Sequence, residues 1–175
     1  MNYKNLDIEL ESQLSSTLVK NTSKVIIPGK DYIPVTGKVI EVDDLLTCID
    51  SVADGWLTAG RFANEFEKTF AQYFGARKSL LVNSGSSANL VAFYTLTSPK
   101  LGYRAIKPGD EVITSPFSFF ATAEVMALCQ VKPVFVDIDP LTYNIDVNQI
   151  EAAITSKTKA IMPVSLYGQV ADMTK

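Results

Sequence analysis

The chain has 175 residues, of which 47% are hydrophobic, 20% charged and 10% aromatic, with a formal net charge of −3. That is the composition of a globular protein with enough apolar residues for a sizeable core, and its mildly acidic balance gives no footprint for nucleic acid or an anionic membrane surface. Histidine is absent, which excludes Ser-His-Asp and Cys-His nucleophile systems and histidine-based metal sites, so any chemistry must lean on lysine, carboxylates or a bound cofactor. No basic-then-apolar leader opens the sequence and no apolar run reaches the length of a membrane span, so the expected location is the cytoplasm. Cys48 and Cys129 both sit in apolar-periodic stretches and are expected to be buried packing residues, not a disulfide.

In chain order, Leu6, Ile8, Leu10, Leu14 and Leu18 predict an amphipathic helix from about Asp7 to Lys20, followed by a polar break at Asn21 to Lys24. Residues 1–31 read as an N-terminal helical arm and linker, with Pro28, Gly29 and Pro34 keeping the next segment extended. Val42, Leu45, Leu46, Ile49 and Val52 predict a helix that Gly55 closes. A loop from Trp56 to Arg61 leads into a second helix, on which Phe62, Phe66, Phe70 and Phe74 recur every four residues. This stripe is expected to be core packing.

The stretch Leu80 to Leu90 reads as strand, tight turn and helix. Gly85 is expected to permit the turn, and Ser86 and Ser87 to open the helix with free N–H groups and hydroxyls, an arrangement suited to a phosphate. The same residues also serve as plain cap punctuation. Neither G-x-G-x-x-G nor G-x-x-x-x-G-K-[ST] is present. Pro99 ends this helix and Lys100 to Lys107 forms a polar loop. Strands follow at Glu111 to Thr114, Pro133 to Asp137 and Ala160 to Val164, with helices running through Met126 and Leu128 and through Ile154, the latter capped at Asn144 to Asp146. Alternation of apolar strands with helices predicts an α/β fold with a mostly parallel sheet, whose ligands bind beyond the carboxyl ends of the strands. The Gly85 turn, the Phe117 to Phe120 loop and the Ser165 to Gln169 loop are therefore expected to converge on one crevice.

Several motifs in fixed order carry a family resemblance. They are Gly-Trp-Leu-Thr-Ala-Gly at 55–60, Asn-Ser-Gly-Ser-Ser-Ala-Asn at 83–89, Lys-Pro-Gly-Asp-Glu-Val-Ile-Thr at 107–114, and Pro-Phe-Ser-Phe-Phe-Ala-Thr-Ala at 116–123. Val-Phe-Val-Asp-Ile-Asp, Tyr-Asn-Ile-Asp and Lys-Ala-Ile-Met-Pro-Val-Ser-Leu-Tyr-Gly complete the set. With these, the chain resembles the DegT/StrS-type pyridoxal phosphate enzymes that act on nucleotide-linked keto-sugars. The resemblance implies an incomplete large domain of an aspartate-aminotransferase-like (fold type I) enzyme over residues 32–175. It implies pyridoxal 5′-phosphate or pyridoxamine phosphate as cofactor, its phosphate at Gly85, Ser86 and Ser87 and its ring stacked by Phe119. It further implies a homodimer, a nucleotide-linked keto-sugar as substrate, and an amino donor such as glutamate, in polysaccharide or lipopolysaccharide sugar biosynthesis.

The first half is most similar to the CDP-linked hexulose 3-dehydratase branch, through Asn-Ser-Gly-Ser-Ser-Ala-Asn-Leu and the insertion from Leu96 to Gly102. From about Ser115 the aminotransferase branch is the better match. The leading expectation is the N-terminal part of a sugar aminotransferase. The alternative is a 3-dehydratase using pyridoxamine phosphate and an iron–sulfur cluster, for which two cysteines fall short of the usual four. A third expectation, of another class, is a catalytically inactive remnant or phosphate-binding segment. The chain stops at Lys175, ahead of the family's aspartate for the pyridine nitrogen and of its Schiff-base lysine, and none of its own lysines has that context. It is therefore read as a fragment without catalytic residues or metal ligands, expected to be inactive alone. Asp137 and Asp139, at a strand end, are read as turn or cap residues.

Overall fold

The computed structural model describes residues 8–22, 26–33 and 37–174. Met1 to Asp7, Ser23, Lys24 and Pro34, which enter the readings of the arm and its break, lie outside them. Two compact units divide at Leu80/Leu81.

The first unit is helical, with α1 (Ile8–Thr22), α2 (Val42–Ala53) and α3 (Arg61–Tyr73). The Glu41 N–H donates to Asp44 Oδ2 at 2.9 Å, holding the first turn of α2. Gly55, with φ of +67°, follows its end, as the sequence predicts. Arg61 reaches back from α3 to Asp50 (2.7 Å) and Asp54 (2.8 Å), and its guanidinium lies 4.2 Å from the centre of the Phe62 ring. Two expectations fail in this unit. Cys48 is exposed on α2, because a residue on the flank of an apolar-periodic helix can share its period without sharing its buried stripe. The Phe66, Phe70 and Phe74 rings are also exposed, stacked on one another at 5.3 and 4.7 Å. Ring-on-ring contact covers only part of each face, and on α3 Ala71 alone is buried.

The second unit holds the sheet. β1 (Glu111–Thr114) lies between β2 (Lys132–Phe135) and β3 (Thr158–Met162), parallel to both. All four β1 residues are buried, as a central strand covered on both faces must be. Pro133, which cannot donate to a ladder, falls on an edge strand where that loss is tolerated. One apolar cluster joins α4 (Gly85–Leu96) to α5 (Ala121–Leu128) through Phe93, Val112, Val125, Met126 and Val131. A second gathers Ile113, Val136 and Ile145, with Val147, Ile150 and Ala153 of the turn and α6 (Ile150–Ala153) packed against it. Burying each of these larger side chains contributes roughly 1.5–3 kcal/mol. Cys129 packs against the first cluster, where desolvation raises its thiol above the ordinary pKa.

Two readings change here. The predicted first strand at Leu80 to Asn83 is not formed: the stretch is irregular and is not among the three strands of the sheet. Lys100 to Lys107 is not wholly loop, because Pro99–Arg104 winds into 3-10 turns broken at Gly102. Asp137 and Asp139 behave as turn residues, with Asp139 Oδ1 accepting from the Leu141 N–H at 2.7 Å. Phe135 and Ile161 on the two edge strands remain exposed.

Glu111 opens β1 almost wholly buried, accepting from the Thr155 hydroxyl (2.6 Å) and Lys132 Nζ (3.0 Å). These bonds, the Thr155 one first, hold its carboxyl below the usual value of 4.5. A depressed folded-state pKa stabilises the fold above the unfolded value and ceases to do so as pH falls through the folded one. Chemical denaturation of the protein should therefore show stability declining from about pH 4.5 downward. Glu111→Gln should flatten that decline, and equal slopes in the two proteins would contradict the assignment.

Candidate functional site at the carboxyl edge of the sheet

Three loops leave the carboxyl ends of the parallel strands: Ser115–Phe120 after β1, Val136–Asp146 after β2, and Pro163–Gln169 after β3. Their bases are tied together. Thr114, fully buried at the end of β1, donates its hydroxyl to Met162 O at 2.8 Å, and the Val136 N–H donates to Thr114 O at 2.9 Å. The first loop is braced from within, because the Ser115 hydroxyl accepts from the Phe117 N–H and Ser118 Oγ bonds Thr122 Oγ1 at 2.8 Å. Phe119 and Phe120 lie just before α5 with exposed rings whose centres are 4.3 Å apart. Of the loops expected to converge, those after β1 and β3 do meet, with Phe117 and Tyr167 ring centres 6.4 Å apart.

The helix start is built differently from its sequence reading. Ser84, not Ser86 or Ser87, is the N-cap of α4: its Oγ accepts from the Ser87 N–H at 3.1 Å and bonds the Ser87 hydroxyl at the same distance. The helix begins at Gly85, and the next intrahelical donor, Ala88 N–H, bonds Ser84 O. Among the described residues the Gly85 and Ser86 N–H groups have no acceptor, and both residues are exposed. Two parallel amide donors at the positive end of a twelve-residue helix can bind an oxyanion. Gly85 does not lie in the left-handed region, and a Cβ added to it would meet nothing within 4 Å. The protein's own packing thus makes no demand for glycine there, contrary to its expected role as a steric hinge. The Ser-x-x-Ser spacing at 84–87 is the signal that could have located the true cap.

Asn144 was also misread. Asp146 caps the following turn, accepting from the Asn148 N–H. Asn144 is instead buried and bridges two loops, donating Nδ2–H to Gln169 O at 3.3 Å and accepting from the Leu166 N–H at 3.0 Å. A turn asparagine whose side chain crosses to a loop 22 residues on leaves no local pattern in the sequence. Among the described residues no cluster of side chains could hold a metal ion, and no helix is long and apolar enough to cross a membrane.

The unit thus combines a parallel α/β layer, an exposed aromatic loop at the carboxyl edge of its sheet, and a helix start with two acceptor-free amides. Residues 38–175 match the DegT/DnrJ/EryC1/StrS aminotransferase family, and the chain belongs to it. The lipopolysaccharide biosynthesis protein RfbH of Salmonella typhimurium is 43% identical over 171 residues, covering 95% of this chain and 39% of that protein. A UDP-2-acetamido-2-deoxy-3-oxo-D-glucuronate aminotransferase of Pseudomonas aeruginosa is 46% identical over 118 residues, 67% of this chain and 31% of its own. The crystal structure of a GDP-4-keto-6-deoxymannose-3-dehydratase with a trapped PLP-glutamate geminal diamine superposes with a TM-score of 0.72 at 34% identity, covering 80% of this chain and 36% of that one. The fold is that of part of a fold type I enzyme. The chain spans about two fifths or less of the length of these relatives.

The cap and the glycine should separate on mutation. Ser84→Ala is expected to cost about 1 kcal/mol of stability and Ser84→Asp to retain most of it. Gly85→Ala should be neutral or stabilising by up to about 1 kcal/mol. Denaturant midpoints measure both, and a Gly85→Ala loss beyond about 1 kcal/mol would show that the glycine is required by the fold itself.

Proposed function

We propose that the chain is the N-terminal part of a pyridoxal phosphate-dependent aminotransferase acting on a nucleotide-linked keto-sugar in polysaccharide or lipopolysaccharide sugar biosynthesis, with residues 32–175 forming part of its cofactor-binding domain. The observation that carries the reading is the pair of acceptor-free amides at Gly85 and Ser86, next to the hydroxyls of Ser86 and Ser87. A phosphate monoester fits this donor set: it needs several N–H and O–H donors on one side, and the helix dipole favours its charge without a cation. Family membership and the pyridoxal phosphate named with the dehydratase structure support the same assignment.

When bound, the cofactor supplies an electron sink for the carbon that exchanges its amino group. This chain's residues bind and orient. Ser84 takes the Ser87 amide and so leaves the first two amides to the phosphate, while Phe119 offers a ring face for the cofactor's ring. The braced loop beneath Phe119, through Ser115, Ser118 and Thr122, limits the freedom that stacking would otherwise have to remove. The amino donor is proposed to be glutamate or a similar amino acid, the working enzyme a homodimer, and its location the cytoplasm.

A second reading is favoured by one observation, the superposition on a nucleotide-sugar 3-dehydratase. Pyridoxal phosphate and pyridoxamine phosphate share the same phosphate and pyridine ring, so the contacts proposed above serve either reading.

Ser86→Pro tests the phosphate assignment, since proline is accommodated in a helix's first turn but removes one of the two free donors. Binding of pyridoxal phosphate, followed by absorbance, should weaken at least tenfold, and titration of the parent protein should shift the Gly85 and Ser86 amide resonances. Undiminished binding by the variant, with shifts confined to other residues, would overturn the site.

A further inference from the structure

Phe117, Tyr143 and Tyr167, one from each of the three loops at the carboxyl edge, bring their rings together. Ring centres lie 5.9 Å apart for Phe117 and Tyr143, 6.4 Å for Phe117 and Tyr167, and 6.3 Å for the two tyrosines. Nothing in the chemistry above uses them. Both tyrosines occupy the left-handed backbone region, with φ of +60° and +51°. That conformation is unfavourable for a side chain with a Cβ, and asparagine or glycine would hold the same turn at less cost. Burial does not compensate, because Phe117 and Tyr143 are nearly half exposed and Tyr167 is 75% exposed. Among the described residues neither phenol hydroxyl has a hydrogen-bond partner.

The backbone beneath the rings is nevertheless fixed. Asn144, next to Tyr143, clamps the Tyr167 loop on both sides through Leu166 and Gln169. Tyr143 N–H donates to Asp139 O at 2.8 Å, and Asn144 O accepts from the Asp139 N–H at 2.9 Å. The loops after β2 and β3 are thus tied to each other, so that two strained tyrosines present bare rings and free hydroxyls at the edge where Phe119 lies. Strain retained at a preorganised exposed surface points to a ligand.

The ring geometry limits what that ligand can be. No two rings are parallel, the interplanar angles being 47°, 57° and 85°, so no slot exists to sandwich a flat base. The three side chains carry no charge and therefore do not select phosphate. Tilted apolar faces with two hydroxyls match a puckered ring bearing C–H groups on its face and oxygens at its rim. We propose that Phe117, Tyr143 and Tyr167 seat the hexose of the nucleotide-linked sugar, the aromatic faces packing on its C–H groups and the tyrosine hydroxyls bonding its oxygens. The proposal deepens the nucleotide-sugar reading above and rests on it.

Tyr167→Gly tests it in the full-length protein, since glycine accepts the left-handed backbone and the variant should melt no lower than the parent. The probes are GDP-mannose and dTDP-glucose, with GDP and dTDP as the same molecules lacking the hexose. Calorimetry should show the two sugar nucleotides bound about tenfold more weakly by Tyr167→Gly, with the diphosphates unaffected. Tyr167→Phe, which keeps the ring, should recover part of the loss. Equal weakening of sugar nucleotides and diphosphates would place the base, not the hexose, on the rings and overturn the assignment. Unchanged affinity for all four, or a large drop in melting temperature, would make the rings a packing element and overturn it too. Pyridoxal phosphate titration of the same variant separates the two claims. A parent protein that binds the cofactor but no sugar nucleotide refutes the hexose seat alone, whereas one that binds sugar nucleotides but not the cofactor refutes the cofactor site alone.

Discussion

The second unit depends on β1 being held, fully buried, between two parallel neighbours. Parallel pairing in register puts Thr114 beside Phe135 and Met162, so the three strands end together and every following loop emerges on one side. The buried Thr114 hydroxyl, bonded to Met162 O, closes the central and edge strands at the level where those loops begin. Loops alone could not hold side chains from residues 117, 143 and 167 within van der Waals reach. Their common origin on a rigid sheet edge does.

The second unit carries two kinds of group, one at the start of α4 and one at that sheet edge, and they call for different ligands. Acceptor-free amides and hydroxyls at the start of α4 suit a doubly charged phosphate, and aromatic faces suit rings without charge. A cofactor phosphate, a cofactor ring and a sugar together present both kinds of chemistry. On the proposed function the cofactor does the electronic work, and this part of the protein supplies donors, faces and fixed geometry.

Alternation of apolar strands with helices was legible because each element follows a simple period, and β1, β2, β3 and α2 to α5 lie close to where that period puts them. The failures are instructive. Leu80 to Asn83 has the composition of a strand, but membership of a sheet is set by the register of distant strands, which a local reading does not see. The Phe66, Phe70 and Phe74 stripe has a core's period, yet period says which residues share a face and not whether anything covers it. The helix start at Gly85 was marked by its motif, whereas the cap at Ser84 required knowing which hydroxyl faces which amide. The Asn144 clamp and the Phe117, Tyr143 and Tyr167 cluster join residues between 22 and 50 positions apart, and only the folded chain brings them together.

The central claim is that the first turn of α4 holds a cofactor phosphate. A crystal structure of the full-length protein with pyridoxal phosphate tests it most directly. The account predicts phosphate oxygens within about 3.2 Å of the Gly85 and Ser86 nitrogens, with Ser84 still bonded to the Ser87 N–H. A phosphate held elsewhere, with those two amides facing only water, would contradict it.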